Sequence, residues 1–280
     1  MRLVKYCKSE HNIATGCKTL HLGTFDYYRE ADPTWSISDT SEGFILYRGP
    51  ATPITVGASA LNAISGGAIH ITDGTTATNQ HPVRVPGAVH FKDANSNYVF
   101  TPEGLRATIG PDLEVRLCYP NSYIFCVACL SDGEAPDPSS VSSEYDAFYY
   151  LSKSADITTF ISCAAKALCE QLTVGDLNLD GLGNIPYSQL SLPVETVVLH
   201  NMVTYVADKT IRLNTEQDFT QNRYMDIYFD TMFRKPASYS ANAEYRFVFL
   251  LKHPILGILS IKKSPKLLQL MPIAETICMS

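Results

Sequence analysis

Residues 239–251 read Tyr-Ser-Ala-Asn-Ala-Glu-Tyr-Arg-Phe-Val-Phe-Leu-Leu. From Phe247 onward, odd and even positions are both apolar. Successive side chains of a strand point to opposite faces, so a strand apolar at every position needs cover on both sides. This segment therefore reads as a strand inside a sheet, not at a solvated edge. Glu244 stands where the run begins. A carboxylate there is costly to desolvate unless it is paired or used. One reading pairs it with Arg246, which projects from the same face two residues on. The other has it facing a site.

The chain's 280 residues suffice for a real core, and the expected organisation is a single domain over 1–280. A net charge of −6 argues against a broad electrostatic footprint for nucleic acid, although a small basic groove is compatible with it. No apolar run is long enough to span a bilayer, and Met1–Cys7 lacks a signal-peptide core, so no membrane association and a cytoplasmic location are expected.

The eight cysteines raise zinc as a rival. Cys126 and Cys129 have CxxC spacing, and Cys7, His11 and Cys17 cluster near the N-terminus. The CxxC pair, however, lies in an apolar, strand-like run without the Gly or Pro of a zinc knuckle. No metal site is expected, and most of these thiols read as small core residues. Residues 176–183 resemble a calcium loop but lack its closing Glu. Phosphate-loop spacing and HExxH are absent from the sequence.

Along the chain, residues 3–6 read as a strand. Ser9 reads as the N-cap of a short helix over 10–15 that Gly16 stops. Residues 19–24 alternate as a second strand, 25–39 read as an aromatic, polar loop, and 43–48 resume a strand pattern. Between 50 and 112, Gly, Thr, Ser, Ala and Asn become frequent. Strand-like pieces at 53–56, 68–72, 83–85, 88–91 and 98–100 alternate there with turn pairs such as Asp73-Gly74 and Pro86-Gly87, which reads as a β-rich insertion. Residues 113–118 and 122–130 read as a hairpin around Tyr119-Pro120. The clearest helix starts near Ser154: Ile157, Phe160, Ile161, Ala164, Leu168 and Leu172 keep helical spacing, with Gly175 as its stop. Residues 195–206 read as one or two strands, 216–233 as a helix, and 257–261 as a closing strand.

The order of these pieces carries a resemblance. It runs from Leu3-Val-Lys5-Tyr6-Cys7 through Tyr27-Tyr28-Arg29-Glu30 and Asp39-Thr-Ser-Glu42-Gly43. It continues with Phe125-Cys126-Val-Ala-Cys129-Leu-Ser131, residues 145–150 as the start of a helix, and Val203-Thr-Tyr205. Lys235, Tyr239 and Asn242-Ala-Glu244-Tyr245-Arg246 complete it. This order resembles a divergent branch of the DarT/PARP-like ADP-ribosyltransferase superfamily found in bacteria and phages. The resemblance implies an α+β fold: a split, curved β core of ADP-ribosyltransferase type, short helices, and the 50–112 segment as a β-rich insertion. It implies NAD as substrate, a macromolecular acceptor (protein or nucleic acid), and a setting in phage–host conflict or as a toxin. Where the family often has two carboxylates one residue apart, this chain has Asn242 and Glu244, which leaves the acceptor open.

ADP-ribosyl transfer breaks the bond between nicotinamide and ribose through an oxocarbenium-like transition state, which a nearby carboxylate stabilises. Glu244 is the candidate catalytic residue, with deprotonation of an acceptor as a further role. Tyr28, Tyr149 and Tyr239 are candidates to stack on nicotinamide, or are core residues. Lys5, next to Tyr6, and Arg29 are candidates for the pyrophosphate. Otherwise, Lys5 is an exposed strand residue and Arg29 pairs with Glu30 or Asp32. Ser131 is a candidate ribose contact or a turn residue. A competing reading is a non-enzymatic binding or inhibitor module that keeps the fold.

Overall fold

The computed structural model describes residues 2–31, 39–57, 60, 88–92, 97–101, 104–151, 154–178, 194–219, 230–254 and 257–270. The protein is α+β, built mostly from antiparallel sheets with few helices. Among the described residues no helix is long and apolar enough to cross a membrane. The chain divides into two compact units: residues 1–42, 121–205 and 235–280 form the first, and 43–120 with 206–234 the second.

The first unit is built on β16 (Glu244–His253). One edge of β16 pairs with β12 (Glu195–Met202) along its length, Tyr245 opposite Met202 and Lys252 opposite Glu195. The other edge pairs with β9 (Tyr123–Leu130) over residues 244–249, then with β17 (Gly257–Ile261). β17 continues to β11 (Leu177–Asn178). On the outer edge of β9 the sheet splits. Ala128–Leu130 pair with β1 (Arg2–Cys7), whereas Tyr123 and Ile124 pair with β2 (Thr19–Thr24). β10 (Ala147–Leu151) borders β1, and β18 (Lys266–Gln269) borders β2.

α2 (Ser154–Gln171) covers one face of this sheet. Its apolar stripe buries Phe160, Ala164, Ala167 and Leu168. Phe160 lies between Phe125 and Phe247, with ring centroids 5.0 and 5.3 Å away. Each such side chain withdrawn from water contributes roughly 1.5–3 kcal/mol.

Among the described residues the second unit contains two sheets. One runs β14 (Thr210–Arg212), β3 (Phe44–Arg48), β8 (Glu114–Cys118), β5 (Ala88–Lys92); the other runs β4 (Ile54–Gly57), β7 (Gly104–Ile109), β6 (Asn97–Thr101). The described part of the 50–112 segment falls within this unit.

Several expectations are corrected. Residues 113–118 and 122–130 do not form a hairpin: β8 pairs with β3 and β5, whereas β9 pairs with β1, β2 and β16. Pro120 between them removes a donor, and the chain leaves one sheet for another instead of turning back. Residues 25–39 are not all loop, because Thr24 accepts from the Tyr27 N–H and caps α1 (Phe25–Arg29). The short helix after β1 is two 3-10 turns, the second capped by Asn12, and Gly16 ends it at φ 109°. α2 ends at Gln171, and Thr173 and Asp176 then form a capping box. Residues 147–151 are strand β10, not the start of a helix. The strands expected at 68–72 and 83–85, and most of the helix expected at 216–233, lie outside the described residues.

Candidate active site

Alternation along β16 sets Phe247, Phe249 and Leu251 on the face covered by α2 and turns Glu244 and Arg246 to the other. On β9 the same rule puts Phe125 and Val127 under α2 and leaves Cys126 opposite Arg246 on the other face. A pocket opens there, with about 640 Å3 of space including its mouth. Lys5, Tyr6, Tyr28, Tyr145, Cys126 and Glu244 are among the residues lining it.

Glu244 sits in a buried charge network. Its Oε1 accepts from Arg246 Nε at 2.8 Å and its Oε2 from Lys235 Nζ at 2.7 Å. Arg246 also donates to both oxygens of Glu42, at 2.7 and 3.1 Å. Arg246 is 0% exposed and Glu42 1%. These two acids and two bases cancel in charge, as burial requires. Burial alone pushes the Glu244 carboxyl upward, but Arg246 and Lys235, with the Cys126 thiol as a further donor, hold it well below the usual carboxylate range. Burial, reinforced by Glu244, pushes that thiol up to about 12.

The backbone fixes Glu244 as well. Its N–H donates to Tyr205 Oη at 2.8 Å, and its carbonyl accepts from the Val203 N–H at 2.9 Å. Ala243 before it is left-handed, with φ 39°, and its carbonyl accepts from the Cys129 N–H. Strain of this kind, held by its surroundings, is common beside functional groups. Lys235 comes from β15 (Arg234–Pro236), which pairs with β13 (Thr204–Val206). Glu42 comes from a turn that Asp39 organises: Asp39 Oδ1 accepts from the N–H and Oγ of Ser41, and the Asp39 carbonyl accepts from the Glu42 N–H.

Lys5 reaches the pocket through the split. Its neighbours Leu3 and Cys7 face the α2 side, and the Lys5 ammonium lies 4.8 Å from the Phe125 ring centroid. From there it donates to the Cys126 carbonyl at 2.9 Å. Because the Cys129 N–H points toward β16, the backbone of Cys126 points toward the split. The ammonium thus serves a carbonyl between the segments of β9 that β1 and β2 occupy. Among the described residues Lys5 forms no ion pair, and burial lowers its pKa. Tyr28 reaches the pocket from α1, where its ring lies over Gly23: a Cβ on Gly23 would stand 2.4 Å from it.

Of the eight residues proposed from sequence, Lys5, Tyr6, Tyr28 and Glu244 converge on this pocket. Asn242, in place of a first carboxylate, lines it too. Tyr149, 2% exposed, packs in the core under α2, because alternation turns it with Leu151 away from the pocket. Arg29 pairs with Asp26, one helical turn back, not with Glu30, and Asp32 lies outside the described residues. Ser131 is exposed, and its N–H donates to Glu134 in a turn. Tyr239 lies beside Lys235, 5.6 Å from ring centroid to ammonium, outside the pocket lining. The expected Glu244–Arg246 pair forms. Sequence reasoning missed Glu42, Tyr145 and the role of Lys235. Glu42 lies 204 residues from the arginine it holds, and no local pattern links them.

No protein-family model matches this chain, and neither does any curated protein or solved structure. Among the described residues no group of His, Cys, Asp or Glu is arranged to hold a metal ion. The site is therefore read from its own chemistry: a fixed, ionised carboxylate and a separate ammonium that has no carboxylate partner among the described residues, on the walls of a pocket rich in tyrosine.

Proposed function

We propose that this pocket binds NAD and that the protein transfers ADP-ribose to a macromolecular acceptor. The observation that carries the reading is that Glu244 and Lys5, from strands at opposite ends of the chain, line one pocket beside a split in the sheet. A split β core is what an ADP-ribosyltransferase-type fold leads one to expect. Lys5 suits the pyrophosphate, since an anion would supply the partner its ammonium lacks among the described residues. The tyrosine rings, Tyr28 foremost, suit a flat heterocycle.

In this reading the bond from nicotinamide to ribose C1′ breaks, its electron pair leaves with the now neutral nicotinamide, and positive charge develops on the ribose. Glu244, already charged and fixed, stabilises that charge without rearranging. Its depressed pKa makes it a poor base. Its role is therefore electrostatic: a lone pair of the acceptor forms the new bond to ribose C1′, and the acceptor's proton leaves to water. The Cys126 thiol stays protonated and acts as a hydrogen-bond donor.

The test is transfer of label from NAD to lysate proteins or nucleic acid by wild type, Glu244→Gln and Lys5→Met, each first shown to fold by its melting curve. Loss of label in folded Glu244→Gln is expected; equal labelling by both proteins removes Glu244 from the reaction. A second reading, a binding module without catalysis, is favoured by the engagement of both Glu244 oxygens by cations. It predicts ligand binding without transfer. Binding itself is read by thermal shift: at a hundredfold excess over Kd, a ligand specific for the folded state stabilises by about 2.7 kcal/mol. No shift at millimolar NAD removes the NAD reading.

A further inference from the structure

Glu244 is bonded by two cations, Arg246 Nε at 2.8 Å and Lys235 Nζ at 2.7 Å. Facing one carboxylate, that pair would leave a net positive charge at the wall of the pocket. Glu42 changes the balance. It takes both terminal nitrogens of Arg246 and lies 3.8 Å from Lys235 Nζ. Nε of that guanidinium is then the nitrogen bonded to Glu244. At 1% exposure, Glu42 has little contact with solvent. The Asp39 turn that delivers it begins with the Asp39 N–H donating to the carbonyl of Tyr28, itself a pocket residue.

We infer that Glu42 is a positioning residue of the site: by sharing Arg246 and Lys235 with Glu244, it lets Glu244 present negative charge to the pocket. The inference deepens the transferase reading and rests on it for its purpose, but the charge balance itself can be measured without any enzymatic activity. Cys126 is the reporter, since its thiol lines the same pocket and donates to Glu244. Among the described residues, the charged and titratable groups that line the pocket with it are Lys5 and Tyr6 from β1, Tyr28 from α1, Glu42, Tyr145, Lys235 from β15, and Glu244 and Arg246 from β16. Arg246 and Lys235 draw its pKa down against burial and Glu244. Removing the charge of Glu42 strengthens that pull, so the thiol becomes more acidic; Glu42→Asp keeps the charge.

The experiment is alkylation of the full chain with iodoacetamide across pH 7–10, with Cys126 followed by peptide mass spectrometry and folding by thermal melt. Folded Glu42→Gln is expected to alkylate at Cys126 about tenfold faster than wild type, the effect of roughly one unit of thiol pKa. Glu42→Asp is expected to match wild type. The double variant Glu42→Gln/Lys235→Met, which restores the balance of charges, is expected to return toward the wild-type rate and covers the case in which Glu42→Gln alone does not fold. Wild-type rates at Cys126 in folded Glu42→Gln, or a double variant as fast as Glu42→Gln, overturn the inference. With NAD, labelling is expected to fall in Glu42→Gln and persist in Glu42→Asp. A shift at Cys126 with no labelling by any protein, wild type included, upholds the inference and removes the transferase reading. Equal labelling by wild type and Glu42→Gln overturns the inference and leaves that reading standing.

Discussion

On the face of β16 covered by α2, Phe247 packs against Phe125 and Phe160 in an apolar cluster. On the other face of the same strand, Glu244 and Arg246 are as deeply buried, yet hold a network of two acids and two bases. Apolar packing is stabilised by area withdrawn from water and tolerates a change of shape at moderate cost. A buried charge network adds little net stability compared with apolar residues of similar volume, but losing one partner is severe because the others remain buried. An expensive arrangement beside a pocket, backed by an inexpensive one, is what distinguishes the candidate site from the surrounding core.

The sharpest way to break this comparison is Arg246→Met. It leaves Glu42 and Glu244 with one buried cation and is expected to cost about 3–5 kcal/mol in urea unfolding at pH 7. A loss below 1 kcal/mol would mean that the network is not held as described. Phe160→Ala, on the apolar face, is expected to cost about 3–4 kcal/mol by cavity formation, and that loss should not vary between pH 4 and 8.

The charged face, in contrast, titrates. Because Glu244 has its folded pKa depressed, the stability it contributes is fully present above the ordinary carboxylate range and is lost as pH falls toward the folded value. The stability gap between wild type and Glu244→Gln should therefore narrow from pH 6 to pH 3. A gap that widens on acidification contradicts the assignment.

Gly23→Ala tests the pocket wall. Its Cβ would meet the Tyr28 ring at 2.4 Å, so a cost of about 1–3 kcal/mol is expected, together with weaker ligand binding as the ring shifts. Unchanged melting and binding would show that the ring yields freely. The smallest expected effect on stability is that of Lys5→Met, within about 1 kcal/mol of wild type, since the lost bond to the Cys126 carbonyl is offset by removal of a desolvated ammonium. Its effect on NAD binding should be much larger, and isothermal titration separates the two.

Local chemistry made much of the first unit legible. Apolar residues on both parities of 247–251 specified a buried strand, and β16 is one. Helical spacing from Ile157 to Leu168 specified α2, and alternation over 19–24 specified β2. What failed was pairing. Two strands separated only by residues 119–122 looked like a hairpin, but nothing local says whether adjacent strands share a sheet, and β8 and β9 do not. Alternation also decided which aromatic residues could reach the pocket. Tyr149 and Tyr28 look alike in sequence, but Tyr149, opposite Lys5 on β10, turns into the core, whereas α1 carries Tyr28 to the pocket.

The sequence by itself determined that a carboxylate would stand at the start of a strand buried on both sides, with an arginine on the same face two residues later, because side-chain direction in a strand depends only on parity. Only the tertiary structure decided what that carboxylate faces. The split beside β9, the ammonium of Lys5 passing through it, and Glu42 closing the charge balance all depend on which strands lie side by side, and that follows from packing across distances in sequence at which local residue preferences carry no information.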